Sequence, residues 1–358
     1  MSKKIAIIGT VGVPAAYGGF ETLVEYLTKN LNQDYDITVF CSGKMYDTKL
    51  ESHNGAKLKY INFKANGAQS IPYDIISIYK ALKFADTLVI LGVSGCTILP
   101  FVKLFSSKKI IVNIDGLEWK RHKWKNYIKW FLRFSEKIAV KYADVVVADN
   151  KVIQEYIDVT YSKKSELIAY GADHVKKLSM SQEVLNEYPF LKDEYAFTVC
   201  RIEPENNIDM ILEAFCDLPE RNYVIVGNWN RSGYGKELMQ KYTKCKNVYM
   251  LHAIYDQNIL DQIRSNCKVY VHGHSAGGTN PSLIEAMYLG LPVFAFDIPY
   301  NVETTHYQAK YFKDNEALTY LFENMDKWNL DEISGNMKEI ADNFYTWDIV
   351  SEKYSKIF

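Results

Sequence analysis

The chain has 358 residues, of which 48% are hydrophobic and 24% are charged, and its formal net charge is −1. This near-neutral balance excludes a generally basic nucleic-acid-binding protein, so any nucleic-acid or membrane partner must be argued from a local patch. The length exceeds that of one typical hydrophobic core, and the composition is ordinary for a globular protein, so we expect two domains.

The N-terminal sequence, the lack of long apolar runs and the cysteine spacing lead us to expect a cytoplasmic protein. The N-terminus MSKKIAIIG has too short an apolar run for a signal peptide, and no run approaches the roughly 18 apolar residues of a membrane span. The six cysteines have no paired metal-binding spacing, so we expect them to be reduced thiols. They are Cys41, Cys96, Cys200, Cys216, Cys245 and Cys267.

In the first half of the chain, short apolar runs alternate with helical patterns. The run Ile5–Gly9 leads into a glycine-containing loop and a helix from about Phe20 to Leu31, which is typical of the opening of a parallel α/β sheet. Further strands are expected at 37–40, 58–63, 87–91, 109–114 and 143–148, with a helix at 74–84. This alternation predicts a doubly wound sheet that binds ligands at the carboxyl ends of its strands.

A polar segment at 173–193 interrupts the pattern, and a second α/β series follows it. Strands are expected at 195–201, 223–226, 248–251, 269–271 and 293–296, with a helix at 208–215. We therefore predict an α/β chain of two Rossmann-like, doubly wound domains that face each other across a cleft. The predicted domains are residues 1–185 and 186–342, and the amphipathic C-terminal helix, 343–358, is expected to pack back on the first.

A glycine-rich loop between a strand and a helix lies at 272–280 and is the strongest local signal. Asn280 is a favoured N-cap and Pro281 a favoured first helical residue. Such a loop presents backbone N–H groups and a helix dipole to a phosphate, so Gly277, Gly278, Thr279 and Asn280 are candidate phosphate ligands.

Glu285 lies about one turn into the same helix. If Asn280 caps the helix, the carboxylate is free to accept hydrogen bonds from sugar hydroxyls. The alternative is a capping box formed by Ser282 and Glu285, with the two glycines serving only as a flexible turn.

The N-terminal loop, Gly9–Glu21, does not match G-x-G-x-x-G, and the second strand ends in Cys41-Ser42 instead of an acidic residue. Both features disfavour a nicotinamide dinucleotide cofactor. Gly18 and Gly19 before a helix still indicate a loop that a ligand can approach closely, although a simple left-handed turn is the alternative.

Three cations follow strands of the second half. Arg201 can hold a diphosphate through two hydrogen bonds, while a surface ion pair with a neighbouring glutamate is the alternative. Arg231 and Lys236, in the flexible loop after the next strand, are secondary phosphate candidates.

Four motifs in order carry a family resemblance over nearly the whole chain. They are G-x-x-G-x-P-A-x-Y-G-G-F-E-T at 9–22, N-x-D-G-L-E-W at 113–119, R-x-E-P-E-N-N at 201–207 and H-G-H-S-x-G-G-T-N-P-S-L at 272–283. Together they resemble the retaining, family-four-like glycosyltransferases of GT-B fold, and among these the rhamnosyltransferases of bacterial polysaccharide assembly.

The resemblance implies roles for particular residues. Glu285 would bind the nucleotide ribose, Arg201 the diphosphate, and Gly18-Gly19 with 277–280 the phosphates and sugar. The chain departs from broader relatives, because Gly277 and Asn206 stand where those carry a glutamate and a lysine. Lys236 is a candidate replacement for the missing cation. A histidine common after the fifth strand is replaced by Asp115.

Glycosyl transfer requires a stabilised leaving group and a positioned acceptor hydroxyl. No D-x-D motif is present, so we expect metal-independent transfer without a cofactor, with Arg201 and the helix start at Asn280 stabilising the diphosphate. Asp115, with Glu118 nearby, is the candidate that positions or deprotonates the acceptor. The alternatives are that Asp115-Gly116 is only a turn, or that the leaving phosphate takes the proton.

The segment 119–141 holds eight Lys or Arg against one Glu, with interleaved Trp and Phe. It suits the inner membrane surface carrying a lipid-diphosphate acceptor, and the alternatives are a solvated helix that packs its aromatics on the core or an RNA-binding surface.

The main hypothesis is a cytoplasmic, peripheral-membrane enzyme of O-antigen or capsule synthesis that moves L-rhamnose from dTDP-L-rhamnose onto a lipid-linked glycan, with no nucleic-acid partner. The alternatives are a UDP- or GDP-sugar donor, a nucleotide-sugar epimerase, and a protein that only binds nucleotide sugars.

Overall fold

The structure is a computed structural model that describes residues 2–15, 18–121 and 124–358. The chain divides into two compact units. The first contains the residues up to Gly171 together with Trp347–Phe358, and the second contains Ala172–Thr346. The sequence had suggested a boundary near residue 185 and a returning tail from residue 343.

The first unit is built on an eight-stranded sheet in the order β3-β4-β2-β1-β5-β6-β7-β8, and its described pairings are parallel except that of β3 with β4. The strands are β1 (Lys3–Ile8), β2 (Tyr35–Ser42), β3 (Ser52–His53), β4 (Ala56–Ile61), β5 (Thr87–Leu91), β6 (Lys109–Asn113), β7 (Val145–Ala148) and β8 (Glu166–Leu167). The helices that connect them are α1 (Gly19–Leu31), α2 (Ser70–Ala81), α3 (Leu99–Phe105), α4 (Asn126–Tyr142) and α5 (Lys151–Tyr161).

The second unit has a six-stranded parallel sheet in the order β11-β10-β9-β12-β13-β14. Its strands are β9 (Tyr195–Val199), β10 (Asn222–Gly227), β11 (Val248–His252), β12 (Val269–His272), β13 (Val293–Phe296) and β14 (Lys310–Phe312). Its helices are α6 (Gln182–Glu187), α7 (Ile208–Cys216), α8 (Gly233–Lys241), α9 (Gln257–Ser265), α10 (Pro281–Tyr288), α11 (Pro299–Thr304), α12 (Asn315–Glu323) and α13 (Leu330–Phe344).

The continuous apolar runs of the sequence form the central strands. Helices cover both faces of each sheet, so side chains on both faces of a strand are buried. Ile5, Ile7 and Ile8 of β1 are fully buried, although neighbouring strand residues point to opposite faces. The predicted α/β class with doubly wound parallel sheets is confirmed. The short elements β3, β14, α3 and α6 were not predicted, since two to seven residues carry too little periodicity.

A last helix, α14 (Trp347–Ile357), belongs to the first unit. Trp347 is 2% exposed and stacks on Tyr26 of α1, with ring centroids 4.5 Å apart. At the other end, the carbonyl of Phe358 accepts hydrogen bonds from the Lys3 ammonium and the Thr87 hydroxyl. The helix is therefore held on the first unit at both of its ends.

One expectation about the cysteines is wrong. Cys216 at the end of α7 is joined by a disulfide to Cys245, with Cα atoms 5.4 Å apart. The two are 29 residues apart in a sequence with no repeated cysteine spacing, so no local pattern indicated the pair. Across the described ranges, no helix has the length and hydropathy needed to cross a bilayer.

Replacing Trp347 by Ala should destabilise the first unit by about 3–5 kcal/mol, because it removes a buried indole and leaves a cavity. Urea unfolding followed by circular dichroism measures the change. Trp130→Ala is the matched control, because that indole is 69% exposed and its loss should change stability by less than about 0.5 kcal/mol. Equal unfolding midpoints for the two variants would contradict the assignment of α14 as an anchored helix.

Candidate functional site

The glycine-rich loop ends at a capped helix, as predicted. The Asn280 side chain accepts a hydrogen bond from the Ser282 N–H at 3.0 Å, and Pro281 occupies the first helical position of α10. Gly277 has a φ of 113°, which a residue with a side chain rarely adopts. Within the described chain, the N–H groups of Gly277 and Gly278 make no hydrogen bond. These two donors, beside the positive end of α10, are therefore available to an anion.

The glycine-rich loop is joined to the loop after β9. Two asparagine side chains and one serine make the connection, and all of these groups lie in the second unit. The hydrogen bonds run from Asn207 Nδ2 to the Gly273 carbonyl at 2.8 Å, between Asn206 Oδ1 and His274 Nδ1, and from the Ser275 hydroxyl to the Glu205 carbonyl at 2.8 Å. Because an amide oxygen only accepts, the Nδ1 of His274 carries the proton. Two of the sequence motifs therefore form one continuous surface.

Arg201 lies two residues beyond β9, at the start of the loop that follows this strand, and is half-buried. Its carbonyl accepts a hydrogen bond from Asn206 Nδ2, which fixes the backbone that carries the side chain. Among the described residues, the guanidinium makes no hydrogen bond or ion pair, so the alternative of an ion pair with Glu203 or Glu205 is not formed. Its positive charge is available to a ligand.

The loop after β10 packs against the same segment. A Cβ on Gly227 would lie 2.7 Å from the Cys200 carbonyl oxygen, and one on Gly235 would lie 3.2 Å from Ile202 Cγ2. These glycines permit the close approach of the two loops. Arg231 precedes α8, whereas Lys236 lies in the first turn of that helix, so the expectation that Lys236 belongs to a flexible loop is wrong. Both side chains are exposed, and among the described residues neither forms an ion pair.

Glu285 does not act as a helix cap, and two other side chains of the second unit contact its carboxylate. One carboxylate oxygen pairs with Nη1 of Arg264, and the other lies 3.2 Å from His174 Nε2. Arg264 is fully buried, and its second terminal nitrogen pairs with Asp261 at 2.9 Å. Sequence analysis missed this network because its members come from α9, α10 and the segment before α6.

The network sets the charge of Glu285. Burial alone would raise the pKa of this carboxyl, but the Arg264 guanidinium and His174 outweigh burial and lower the pKa to about 2. The carboxylate is therefore ionised at neutral pH, and its side chain remains 17% exposed. An ionised carboxylate has about four lone-pair positions, so two protein donors leave capacity for a ligand.

His272, at the end of β12, is a further residue that sequence analysis did not single out. It is 3% exposed, and within the described residues its Nε2 has no hydrogen-bond partner. Burial lowers the pKa of its imidazole to about 3, so the ring is neutral at physiological pH.

The predicted glycines of the first unit lie beside a carboxylate. α1 begins at Gly19, and Gly18 has a φ of 135°. Glu21 in the first turn accepts hydrogen bonds from the Val11 N–H at 2.7 Å and the Thr10 hydroxyl at 2.9 Å. A negative charge at this helix start suits hydroxyl groups better than phosphates. Ala16 and Tyr17 of the same motif lie outside the described residues.

Asp115 occupies a left-handed turn after β6, with a φ of 61°. Its N–H donates to Asn113 Oδ1 at 3.0 Å, and the Asn113 amide donates to the Tyr354 hydroxyl of α14 at 3.1 Å. The tail helix thus supports the turn that carries Asp115. Asp115 belongs to the first unit, whereas Arg201 and Glu285 belong to the second.

The neighbouring Glu118 is engaged by its own chain. Its carboxylate pairs with Arg121 at 2.8 Å and accepts a hydrogen bond from the Trp124 indole at 3.2 Å. In the part of the chain that the structure describes, no group of three or more His, Cys, Asp or Glu residues is arranged to hold a metal ion.

Comparison with known proteins identifies the class. Residues 182–344 match the family model described as glycosyl transferases group 1, and residues 2–173 match a domain of unknown function, DUF1972. An uncharacterized glycosyltransferase of Methanocaldococcus jannaschii is 25% identical over 383 aligned positions, which cover 95% of this chain and 94% of that protein.

Two solved structures have the same fold. Sucrose-phosphate synthase from Thermosynechococcus elongatus superposes with a TM-score of 0.82 at 15% identity, covering 99% of this chain and 98% of that one. Anabaena HepE in complex with UDP-glucose superposes with a TM-score of 0.75 at 15% identity, covering 100% of this chain and 99% of that one. The chain therefore has the GT-B fold and is a glycosyltransferase. More narrowly, its second unit matches the group 1 glycosyltransferase domain and its first unit matches the DUF1972 domain.

The pKa of Glu285 predicts a specific acid sensitivity. Because the folded pKa is depressed, the ion pair stabilises the protein above about pH 4.5, and this stabilisation is lost as the pH falls towards 2. Glu285→Gln should therefore be less stable than the wild type at pH 7, and the difference should shrink between pH 4.5 and 2. Urea titrations over this range measure it. Glu323→Gln on α12 is the control. A difference in the free energy of unfolding between wild type and Glu285→Gln that does not change with pH would contradict the ion pair.

Proposed function

We propose that the chain is a retaining glycosyltransferase whose second unit binds a nucleotide diphosphate sugar. Arg201 binds the diphosphate, the loop 277–280 contacts the phosphates and sugar, and Glu285 accepts hydrogen bonds from the ribose. Arg231 and Lys236 are secondary phosphate ligands. The observation that carries the proposal is the joining of the Arg201 loop to the glycine-rich loop through Asn206 and Asn207, which brings a cation and two backbone donors onto one surface.

The chemistry needs a leaving diphosphate that is stabilised as the glycosidic bond breaks. A cation and N–H donors that are already in place supply this stabilisation without reorganising during the reaction. Arg201 suits the task because no described carboxylate neutralises it and its guanidinium can form two parallel hydrogen bonds to phosphate oxygens. We expect the protein cations to act in the place that a metal ion takes in other transferases.

The ribose contact explains why Glu285 is held so firmly. Arg264 and His174 fix both carboxylate oxygens, so ribose hydroxyls meet an acceptor whose position and charge are already set. Ligand binding then orders fewer side chains, which preserves affinity. Arg264 and Asp261 are positioning residues in this account, since each acts through Glu285.

For the donor sugar, we propose L-rhamnose from dTDP-L-rhamnose, on the strength of the motifs at 9–22, 113–119, 201–207 and 272–283. A UDP-linked sugar is the second candidate, and the similarity to HepE, which was solved with UDP-glucose, favours it. The two nucleotides differ at the ribose, because dTDP lacks the 2′-hydroxyl that Glu285 could accept from UDP. With dTDP, Glu285 would accept a hydrogen bond from the 3′-hydroxyl alone.

The acceptor in this proposal is a lipid-diphosphate-linked glycan bound by the first unit at the inner membrane surface. Asp115 positions its hydroxyl from the turn that Asn113 and Tyr354 support. In a retaining reaction the leaving phosphate can take the acceptor proton, so Asp115 need not be the base. The acidic start of α1 at Glu21 adds a second hydroxyl-binding group in the same unit.

Incubation with a panel of nucleotide sugars and a synthetic lipid-diphosphate acceptor, analysed by mass spectrometry, tests the function. We expect transfer from dTDP-L-rhamnose that continues in the presence of a metal chelator. Transfer only from a UDP- or GDP-sugar would make the rhamnose assignment wrong and leave the class intact. Donor isomerisation without acceptor would identify an epimerase, and binding without turnover would identify a sensor.

Arg201→Ala should lower kcat/KM by about 10²–10³-fold, the effect of removing one preorganised donor to a developing anion. Isothermal titration with UDP or dTDP and with the matching nucleosides gives an independent readout. The variant should lose affinity for the diphosphate and keep its affinity for the nucleoside. Lys313→Ala is a control for an exposed cation of the same unit. Equal losses for diphosphate and nucleoside would show that Arg201 does not contact the phosphates.

A further inference from the structure

Two neighbouring helices of the first unit expose an unusual amount of apolar surface. On α4, Tyr127 and Trp130 are each 69% exposed, and Phe134 is 45% exposed. On α3, which packs beside α4, Phe101, Leu104 and Phe105 are 66%, 72% and 81% exposed. The spacing of each set places it on one helical face. Large apolar side chains exposed in a contiguous cluster mark an interaction surface.

The exposed charged side chains of α4 are all basic. Arg133, Lys137 and Lys141 are exposed on α4, and the helix contains a single acidic residue, Glu136, which is 1% exposed. Glu136 faces inward, where it accepts hydrogen bonds from the Trp119 indole at 3.1 Å and the Tyr161 hydroxyl at 2.7 Å. The outward face of α4 is therefore positive as well as aromatic.

A pocket of about 420 Å³ lies on this face and combines both properties. It is lined by Trp130, Arg133, Phe134, Lys137, Thr160 and Tyr161. The rings of Trp130 and Phe134 stack in parallel, 5.7 Å apart, and the Arg133 guanidinium lies 5.0 Å from the Trp119 ring. Buried Glu136 accepts a hydrogen bond from Tyr161, so one lining residue of the pocket is fixed from within the unit.

We propose that the docking surface, defined as Phe101, Leu104 and Phe105 of α3 with Tyr127, Trp130, Arg133, Phe134 and Lys137 of α4, binds an anionic phospholipid bilayer. The apolar side chains enter the boundary between headgroups and acyl chains, and Arg133 and Lys137 bind phosphate headgroups at the pocket. The inference deepens the proposed function, because it rests on a lipid-linked acceptor that is reached at a membrane.

The surface fits a bilayer better than RNA. RNA-binding surfaces stack bases on aromatic rings and surround them with hydrogen-bonding groups. The exposed face of α3 instead offers a leucine and two phenylalanines, Leu104, Phe101 and Phe105. An aliphatic side chain gains by leaving water for hydrocarbon but offers a base nothing to stack on.

Vesicle flotation with the full chain tests the proposal. Vesicles of equal parts phosphatidylcholine and phosphatidylglycerol should float the protein, and vesicles of phosphatidylcholine alone should not. Arg133→Gln with Lys137→Gln should weaken binding by about 30-fold, since each basic residue at the surface contributes about a factor of five. Trp130→Ser with Phe134→Ser should weaken it by about tenfold or more.

The matched control variants have the same types of substitution at exposed positions outside the docking surface. Tyr79→Ser with Tyr320→Ser removes two exposed aromatics from other helices, and Lys192→Gln with Lys313→Gln removes two exposed cations, so neither pair should change flotation. Equal effects of surface and control variants would overturn the proposal. It would also be overturned by binding to RNA oligonucleotides without vesicle binding, or by a dimer that the Trp130 and Phe134 variant converts to monomer.

The nucleotide experiment separates this inference from the proposed function. All four double variants should bind UDP or dTDP as the wild type does, because their substitutions lie outside the second unit's site. Nucleotide binding without flotation would contradict the docking surface and be consistent with the proposed nucleotide site. Flotation without nucleotide binding would contradict the nucleotide site and be consistent with the docking surface.

Discussion

The hydrogen bonds between the glycine-rich loop and the side chains of Asn206 and Asn207 are the constraint on which the candidate site depends. Each loop follows a different strand, and a free loop of this length would sample many conformations. Asn207 binds the Gly273 carbonyl and Asn206 binds the His274 ring, so the loop that carries Arg201 is joined to the loop that leads into α10. Asn206 stands where broader relatives carry a lysine, and here that position serves to join loops.

A second constraint fixes the negative charge of the Glu285 carboxylate. Arg264 is buried between Glu285 and Asp261, an arrangement that is stable only because all three groups are paired. The result is a carboxylate that stays ionised and a helix α10 that is bound to α9. Cation and carboxylate are therefore both supplied by one unit, as a ligand with an anionic diphosphate and a hydroxylated sugar requires.

Much of the fold followed from the sequence, because parallel strands covered on both faces are continuous apolar runs. Thr87–Leu91 and Val293–Phe296 are strands with the predicted bounds. The Asn280 cap was predictable from the Asn-Pro pair alone. The Arg264 network and the Cys216–Cys245 disulfide were not, because they join residues that only the tertiary fold brings together. For the Arg264 network, the available sequence signal was an arginine three residues after an aspartate in the segment that forms α9.

The proposed function requires that the second unit alone binds the nucleotide, through Arg201, the start of α10 and Glu285. A crystal structure with bound UDP or dTDP tests it most directly. The account predicts phosphate oxygens within hydrogen-bond distance of the Arg201 guanidinium and the N–H groups of Gly277 or Gly278, with a ribose hydroxyl on Glu285. A nucleotide seated instead at the start of α1 in the first unit, or one whose phosphates avoid Arg201, would contradict it.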